Sequence, residues 1–147
     1  MFNNILVPTD GSKLSQKAVQ EAIVLASITG ANVIALHVCP KFAGNPYGTY
    51  GPAKEILAEA HARHYEAEAE KLFAVMRHLA SAARVTLDTA LVESDDIHKQ
   101  IIAVAKKKKC DLICMASHGR RGLAGVLLGS ETHKVLTHST IPVLVMR

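Results

Sequence analysis

Short aliphatic segments alternate with longer amphipathic segments along the whole chain, and this alternation constrains the fold more than any other feature. A run of about four to eight aliphatic residues is typical of a buried strand, whereas apolar residues three or four positions apart over about ten or more residues indicate a helix. Segments of the two kinds follow one another in strict order. The predicted strands are Ile5 to Val7, Val33 to Val38, Val85 to Leu91, Leu112 to Ala116 and Ile141 to Met146.

The predicted helices carry recognisable start and stop signals. Ser12 is the expected N-cap of the first helix, and Gly30 stands where a glycine would end it. Residues 39–53 are rich in proline and glycine and form the longest predicted loop. The second helix is predicted from Ala53 to about Ser81, and the last from Ser130 to about His138. Between them, a third helix is predicted to begin at a cap within Ser94 to Asp96 and to end in the lysine run Lys106 to Lys109.

This order of elements predicts one α/β domain over residues 1–147. Strands that alternate with helices form an open five-stranded parallel sheet, and right-handed crossovers place the helices on both of its faces. The third strand alternates apolar with polar residues, so we expect it at an edge of the sheet. Ligands of such sheets bind beyond the carboxyl ends of the strands, where the strand order reverses.

Composition argues against several classes of function. The chain has 17 basic and 13 acidic residues, which give a net charge of +4. It has no tryptophan and only 4% aromatic residues, so it offers few side chains on which the bases of a nucleic acid could stack. No stretch approaches the roughly 18 apolar residues of a membrane span. The apolar run at the N-terminus is too short for a signal peptide. We therefore expect a cytoplasmic protein that binds neither a membrane nor nucleic acid.

Two features have an ordinary and a functional interpretation. The four lysines at 106–109 form either a solvated helix C-terminus or a nucleic-acid patch, and the lack of a second basic or aromatic stretch nearby favours the first. Cys110 and Cys114 are either buried thiols, as expected for Cys39, or a metal pair. Their spacing along an apolar strand favours buried thiols, and an odd number of cysteines argues against a disulfide framework.

A glycine-rich loop follows the fourth predicted strand. Residues 117–130 contain Gly119, Gly122, Gly125 and Gly129, but the chain has neither a G-x-x-x-x-G-K-[ST] motif nor a G-x-G-x-x-G motif after its first strand. Glycines let the backbone approach a ligand, and free N–H groups at a helix start attract anions, so a phosphate fits between Gly119 and Ser130. Alternatively, the glycines only permit turns and Ser130 only caps its helix.

Three segments resemble the universal stress protein (UspA) family. They are Asn4 to Ser12 at the start, His37-Val38 at the end of the second strand, and Ile141 to Val145 near the end, and the resemblance covers essentially the whole chain. Nucleotide-binding members carry G-x2-G-x9-G-[ST]. The motif here reads Ala116-x2-Gly119-x9-Gly129-Ser130, so alanine replaces the first glycine. The resemblance implies the adenine nucleotide alpha hydrolase-like fold.

The resemblance also implies a ligand and the residues that bind it. The ligand is ATP, or AMP or ADP, with Mg²⁺, although no metal ligands are assigned. The first strand lines the adenosine, backbone groups of the second face the adenine, the fourth strand flanks the sugar, and the motif surrounds the phosphates. The implied site residues are Pro8, Thr9, Asp10, Val38, Met115, Ala116, Gly119, Gly129, Ser130, Glu131 and Thr132. Glu131 is out of place beside phosphate unless it faces solvent or helps to hold a divalent metal.

The leading hypothesis is a cytosolic, nucleotide-linked stress regulator that dimerises through the strand Ile141 to Met146, with an unidentified protein partner also conceivable. An uncovered strand at a sheet edge invites such pairing, unless the long loop or helix ends shield it. The alternative is a non-nucleotide member that acts only as a dimerisation and regulatory module, an interpretation that Ala116 keeps open. An enzyme ranks third, with at most slow ATP hydrolysis, because no acid, base and nucleophile set can be assembled.

Overall fold

The computed structural model describes residues 1–44, 51–120 and 128–147, which form the predicted alternation of strands and helices. The elements are β1 (Asn4–Pro8), α1 (Lys13–Thr29), β2 (Asn32–Cys39), α2 (Pro52–Ala82), β3 (Leu87–Glu93), α3 (Ile97–Lys107), β4 (Leu112–Ala116), α4 (Ser130–His138) and β5 (Val143–Met146).

All five strands of this sheet are parallel, in the order β3-β2-β1-β4-β5. The predicted fold class is confirmed, and the third strand lies at an edge as expected. From β1 the chain first builds outward through β2 and β3, and then crosses to the other side of β1 to add β4 and β5. The strand order therefore reverses between β1 and β4, which opens a crevice at their carboxyl ends.

Helices cover both faces of the sheet because the side chains of each strand alternate between them. Ile5 and Val7 of β1 pack with α1 and α2, whereas Leu6 packs with α3 and α4. The central strands β1 and β4 are buried on both sides, which explains their continuous aliphatic sequence. All three cysteines are buried free thiols, as expected.

The ends of the first helix follow the predicted signals. Ser12 Oγ accepts a hydrogen bond from the Ser15 N–H at 3.2 Å and caps α1. Gly30 ends it in the left-handed conformation, with φ of 74°, and donates its N–H to Ala26 O. A glycine is suited to this position because it carries no Cβ.

Other boundaries differ from the sequence prediction for local reasons. The third strand begins at Leu87 rather than Val85, because Val85 donates its N–H to Ala80 O and so belongs to the exit of α2. The fifth begins at Val143 rather than Ile141, because both backbone groups of Ile141 bond to Ser139 Oγ in a turn.

The structure also identifies the N-caps of α3 and α4. The N-cap of α3 is Asp96, while Ser94 Oγ instead accepts the Asp96 N–H at 3.1 Å. The N-cap of α4 is Gly129, and Ser130 is its first helical residue. In the part of the chain that the structure describes, no helix is both long and apolar enough to cross a membrane.

The buried centre of β1 should account for much of the stability. We expect Leu6→Ala to lower the free energy of unfolding by about 2–5 kcal/mol, because it leaves a cavity against α3 and α4. Leu57→Ala, on an exposed part of α2, is the control and should change it by less than about 0.5 kcal/mol. Urea unfolding measures both, and equal effects of the two variants would contradict the assigned core.

Candidate functional site

The ends of β1 and β4 bring two loops together at the crevice. Ile5 and Leu6 pair with Leu112 and Ile113, so the strands run side by side and leave the sheet at the same edge. The turn that follows β1 begins with Thr9 and Asp10, and the loop that follows β4 begins at Ser117. Most of the residues that the sequence singled out therefore lie at one place.

Asp10 joins the two loops through its carboxylate. Oδ1 accepts the Ser12 N–H at 3.0 Å within its own turn, and Oδ2 accepts the Arg120 N–H at 2.7 Å from the loop after β4. Burial opposes the ionisation of Asp10, but hydrogen bonds from Ser12 and Arg120 outweigh it, and the pKa of the carboxyl is lowered. The group is therefore an anion at neutral pH.

Gly119 permits this contact. A Cβ at position 119 would overlap Asp10 Oδ2, which the two backbone N–H groups hold in place. Gly11, in the opposite loop, has φ of +78°, and a Cβ there would lie 2.9 Å from Arg120 Nη2 and from Leu72 Cδ2. A side chain at position 11 would therefore collide with the Arg120 guanidinium.

Thr9 is buried, and its polar groups bond within the protein. Its N–H donates to Leu36 O at 2.8 Å, and its hydroxyl lies 3.0 Å from Ser15 Oγ and accepts the Gly11 N–H. His37 Nδ1 donates to Thr9 O at 2.8 Å. Thr9 thus fixes the turn between β1 and α1.

Val38 directs its peptide groups toward the crevice. Successive peptide groups along a strand point to opposite sides, and Leu36 O faces β1, where it accepts the Thr9 N–H. Val38, two residues later, faces the same side but lies beyond Pro8, the last residue of β1. Its N–H and C=O therefore border the space above β1.

Met115 and Ala116 end β4 and point to opposite faces. Met115 packs into the core beneath α3 and α4, so only its backbone borders the crevice. By strand alternation, the Ala116 methyl lies on the same face as Cys114, toward α1 and away from α4. The Ala116 carbonyl accepts a hydrogen bond from Thr132 Oγ1 at 2.9 Å, which ties α4 to the end of β4.

The first turn of α4 has no side-chain cap, because its N-cap is Gly129. Gly129 donates its N–H to Ser117 O at 2.6 Å, and a Cβ on it would lie 3.1 Å from His118 Cα and 3.2 Å from Ser117 O. Ser130 is exposed. Helix N–H groups at such a start attract anions.

Glu131 turns its carboxylate toward α3. Oε2 accepts the His98 N–H at 2.9 Å, and Oε1 pairs with Lys134 Nζ at 2.8 Å. Burial opposes ionisation here also, but the bonds from Lys134 and His98 prevail and the pKa of Glu131 is lowered. His98 had no sequence signal, because it precedes Glu131 by 33 residues.

Other residues lie away from the crevice or outside the part of the chain that the structure describes. His61 and His64 flank Tyr65 on α2, with ring centroids 4.7 and 5.1 Å from the tyrosine ring. Among the residues described, no group of three or more histidine, cysteine, aspartate or glutamate side chains could hold a metal ion. Arg121, Gly122 and Gly125 lie outside the described residues.

Comparison with known proteins gives consistent similarities. The model of the Universal stress protein family matches residues 1–147. Universal stress protein MJ0531 of Methanocaldococcus jannaschii is 32% identical over 150 residues, covering 100% of this chain and 83% of that protein. Universal stress protein YxiE of Bacillus subtilis is 32% identical over 149 residues, covering 100% of both.

Solved structures share the fold. The structure of hypothetical protein MJ0577 superposes with a TM-score of 0.84 at 26% identity, covering 99% of this chain and 96% of that one. Universal stress protein UspA from Lactobacillus plantarum superposes with a TM-score of 0.77 at 28% identity, covering 99% and 97%.

The lowered pKa of Asp10 predicts a pH dependence of stability. Its contribution is present above the ordinary carboxyl pKa of 3.8 and is lost as the pH falls through the lower folded-state value. Wild-type protein should therefore lose more unfolding free energy than Asp10→Asn between about pH 5 and pH 3. Urea unfolding across this range tests it, with the exposed Glu21→Gln as control. Parallel curves for wild type and Asp10→Asn would refute the assigned role.

Proposed function

The chain belongs to the universal stress protein family, and from this premise we propose that it binds ATP, or alternatively AMP or ADP, in the crevice between β1 and β4. In this proposal the protein is a cytoplasmic, dimeric stress regulator whose partner interactions depend on the bound nucleotide.

The uncapped first turn of α4 is the observation that carries the proposal. Gly129 brings this turn against the loop after β4, and the Glu131 carboxylate faces α3, so its charge is directed away from the helix start. Backbone N–H groups of Ser130, Glu131 and Thr132, with the Ser130 hydroxyl, would receive the phosphates. Thr132 would contribute its N–H only, since its hydroxyl is bonded to Ala116 O.

The other end of the crevice suits an adenosine group. The Val38 N–H and C=O offer the donor and acceptor pair that an adenine edge requires, and the backbone of Met115 and Ala116 lies beside the path of the sugar. Asp10 is an anionic acceptor near Pro8, available to a ribose hydroxyl or to Mg²⁺. Mg²⁺ would be held mainly by phosphate oxygens and water, as is usual for this ion.

Ala116, which replaces the first glycine of the motif, is the feature that keeps open a second candidate, a non-nucleotide member of the family. Its methyl lies on the α1 side of the sheet, whereas the phosphates would lie at α4, so we expect it to leave phosphate binding intact. Copurification of nucleotide with the protein would separate the two candidates.

We further propose that any ATP hydrolysis is slow, because Asp10 is held by two loops and no other base is assigned.

Calorimetric titration with ATP and Mg²⁺ tests the site. Ser130→Ala should weaken binding by about 1.5–3 kcal/mol, the value of a hydrogen bond to a charged group. Gly129→Val should abolish binding, because its side chain meets the His118 backbone. Ala116→Gly should bind as tightly as wild type or more tightly.

The exposed Ser27→Ala on α1 is the matched control for the loss of a hydroxyl and should bind as wild type does. Thermal unfolding checks that Gly129→Val folds. Unchanged affinity in Ser130→Ala would exclude phosphate binding at this turn. AMP and cAMP belong in the panel, since universal stress proteins have been solved in complex with cAMP and with dAMP.

The edge strand β5 supports the proposed dimer. Pro142 O and Met146 O accept bonds from β4, so by alternation Val143 and Val145 turn their peptide groups outward. Its sequence, Val-Leu-Val-Met, is uncharged, whereas the opposite edge strand β3 carries Asp88 and Glu93, and charges discourage edge pairing. Two copies would pair antiparallel about a two-fold axis.

Proline substitution distinguishes the two edges. Val143→Pro removes an outward N–H without removing a bond to β4, so light scattering should show the mass falling from twice 15.8 kDa toward 15.8 kDa. Leu144→Lys should act likewise by placing a charge at the interface. Thr89→Pro, at the β3 edge, is the control and should stay dimeric. A wild-type mass of 15.8 kDa at micromolar concentration would refute the dimer.

A further inference from the structure

The backbone ladder between β1 and β2 stops one bond short of its regular continuation. Its register ends at Pro8 and Leu36, and the Thr9 N–H then donates to Leu36 O at 2.8 Å. In a parallel ladder the next bond runs from the Val38 N–H to Thr9 O. Among the residues described, Val38 makes no such bond, although its peptide groups face the β1 side of the strand.

The His37 side chain supplies a hydrogen-bond donor to Thr9 O instead. Its Nδ1 lies 2.8 Å from this oxygen, and because a carbonyl oxygen only accepts hydrogen bonds, Nδ1 carries the proton. By strand alternation His37 lies on the same face of the sheet as Val33 and Ala35, toward α1 and α2. The donor to Thr9 O therefore comes from one face of the sheet and not from the neighbouring strand backbone.

Burial makes this bond decisive for the Thr9 carbonyl. His37 is 8% exposed and Thr9 is 6% exposed, so water does not readily replace either partner. A buried carbonyl requires a donor, and the nearest one in the ladder register is the Val38 N–H. Because His37 satisfies the carbonyl, the Val38 N–H is not drawn into the ladder and is directed into the crevice.

We propose that His37 is a positioning residue that, by bonding to Thr9 O, keeps the Val38 N–H available to donate to an adenine ring. The inference rests on the proposed nucleotide site. There the Val38 N–H would meet N1 of adenine, an acceptor, and the Val38 C=O would meet the 6-amino group, a donor. The hypoxanthine base of ITP carries the opposite pair, so an available Val38 N–H also favours ATP over ITP.

Two variants of equal shape separate the hydrogen bond of His37 from its volume. Leucine and asparagine are nearly isosteric, but only the asparagine amide keeps an N–H near the position of Nδ1. In titrations with Mg²⁺, His37→Leu should bind ATP about two- to tenfold more weakly than wild type, the value of one hydrogen bond, and should lose preference for ATP over ITP by a similar factor. His37→Asn should restore both. A general disturbance of the crevice would weaken both nucleotides together and leave their ratio unchanged.

Amide hydrogen exchange of the nucleotide-free protein supplies a second readout. In wild type and His37→Asn, the Val38 N–H should exchange faster than the Leu36 N–H, which lies within the ladder register. In His37→Leu, Thr9 O is left to the backbone, so Val38 exchange should slow toward that of Leu36.

Two results would overturn the inference while leaving nucleotide binding intact. One is Val38 exchange as slow as that of Leu36 in wild type, and the other is an unchanged ratio of ATP to ITP affinity in His37→Leu that thermal unfolding shows to be folded. Absence of ATP binding to wild type would instead overturn the proposed function, and with it the role of His37 in adenine recognition.

Discussion

The carboxylate of Asp10, bonded to two backbone N–H groups from different loops, is the contact on which the geometry of the crevice depends. It holds the turn after β1 to the loop after β4 at distances of 3.0 and 2.7 Å. Burial alone would favour the neutral acid, so the ion persists only because these bonds compensate for lost hydration. The requirement for glycine at position 119 follows directly, because any Cβ would displace the carboxylate.

A second set of bonds orients α4 above this crevice. Thr132 Oγ1 attaches the helix to Ala116 O at the end of β4, and Glu131 attaches it to the first turn of α3. Side chains near the start of α4 are thereby used to anchor the helix, while its own N-terminus has no side-chain cap. The bond from the His98 N–H also directs the Glu131 carboxylate toward α3, away from the start of α4.

The elements, the fold class and the position of the crevice could be predicted because each depends on local patterns. Aliphatic runs identify buried strands, and Ser12 and Gly30 mark helix ends through bonds to their own neighbours. The predicted start of β3 was wrong because the alternation of apolar and polar residues already begins at Val85, which belongs to the exit of α2. Nothing in that pattern marks the boundary between the helix exit and the strand. The pairing of His98 with Glu131 joins residues 33 positions apart, and no local pattern encodes such a contact.

The anchoring bonds also determine how much of the crevice is formed by the protein alone. Thr9, Asp10 and Thr132 make their bonds to the protein itself, so the crevice is formed by interactions that need no ligand. Groups left to recognise a ligand are mainly backbone groups, at Val38 and along the first turn of α4, and the exposed Ser130 hydroxyl. A side-chain substitution in such a site alters the affinity for a ligand mainly through the volume that the new side chain occupies. The Ala116 methyl, which lies on the α1 side of the sheet, adds its volume away from the turn that would bind phosphate.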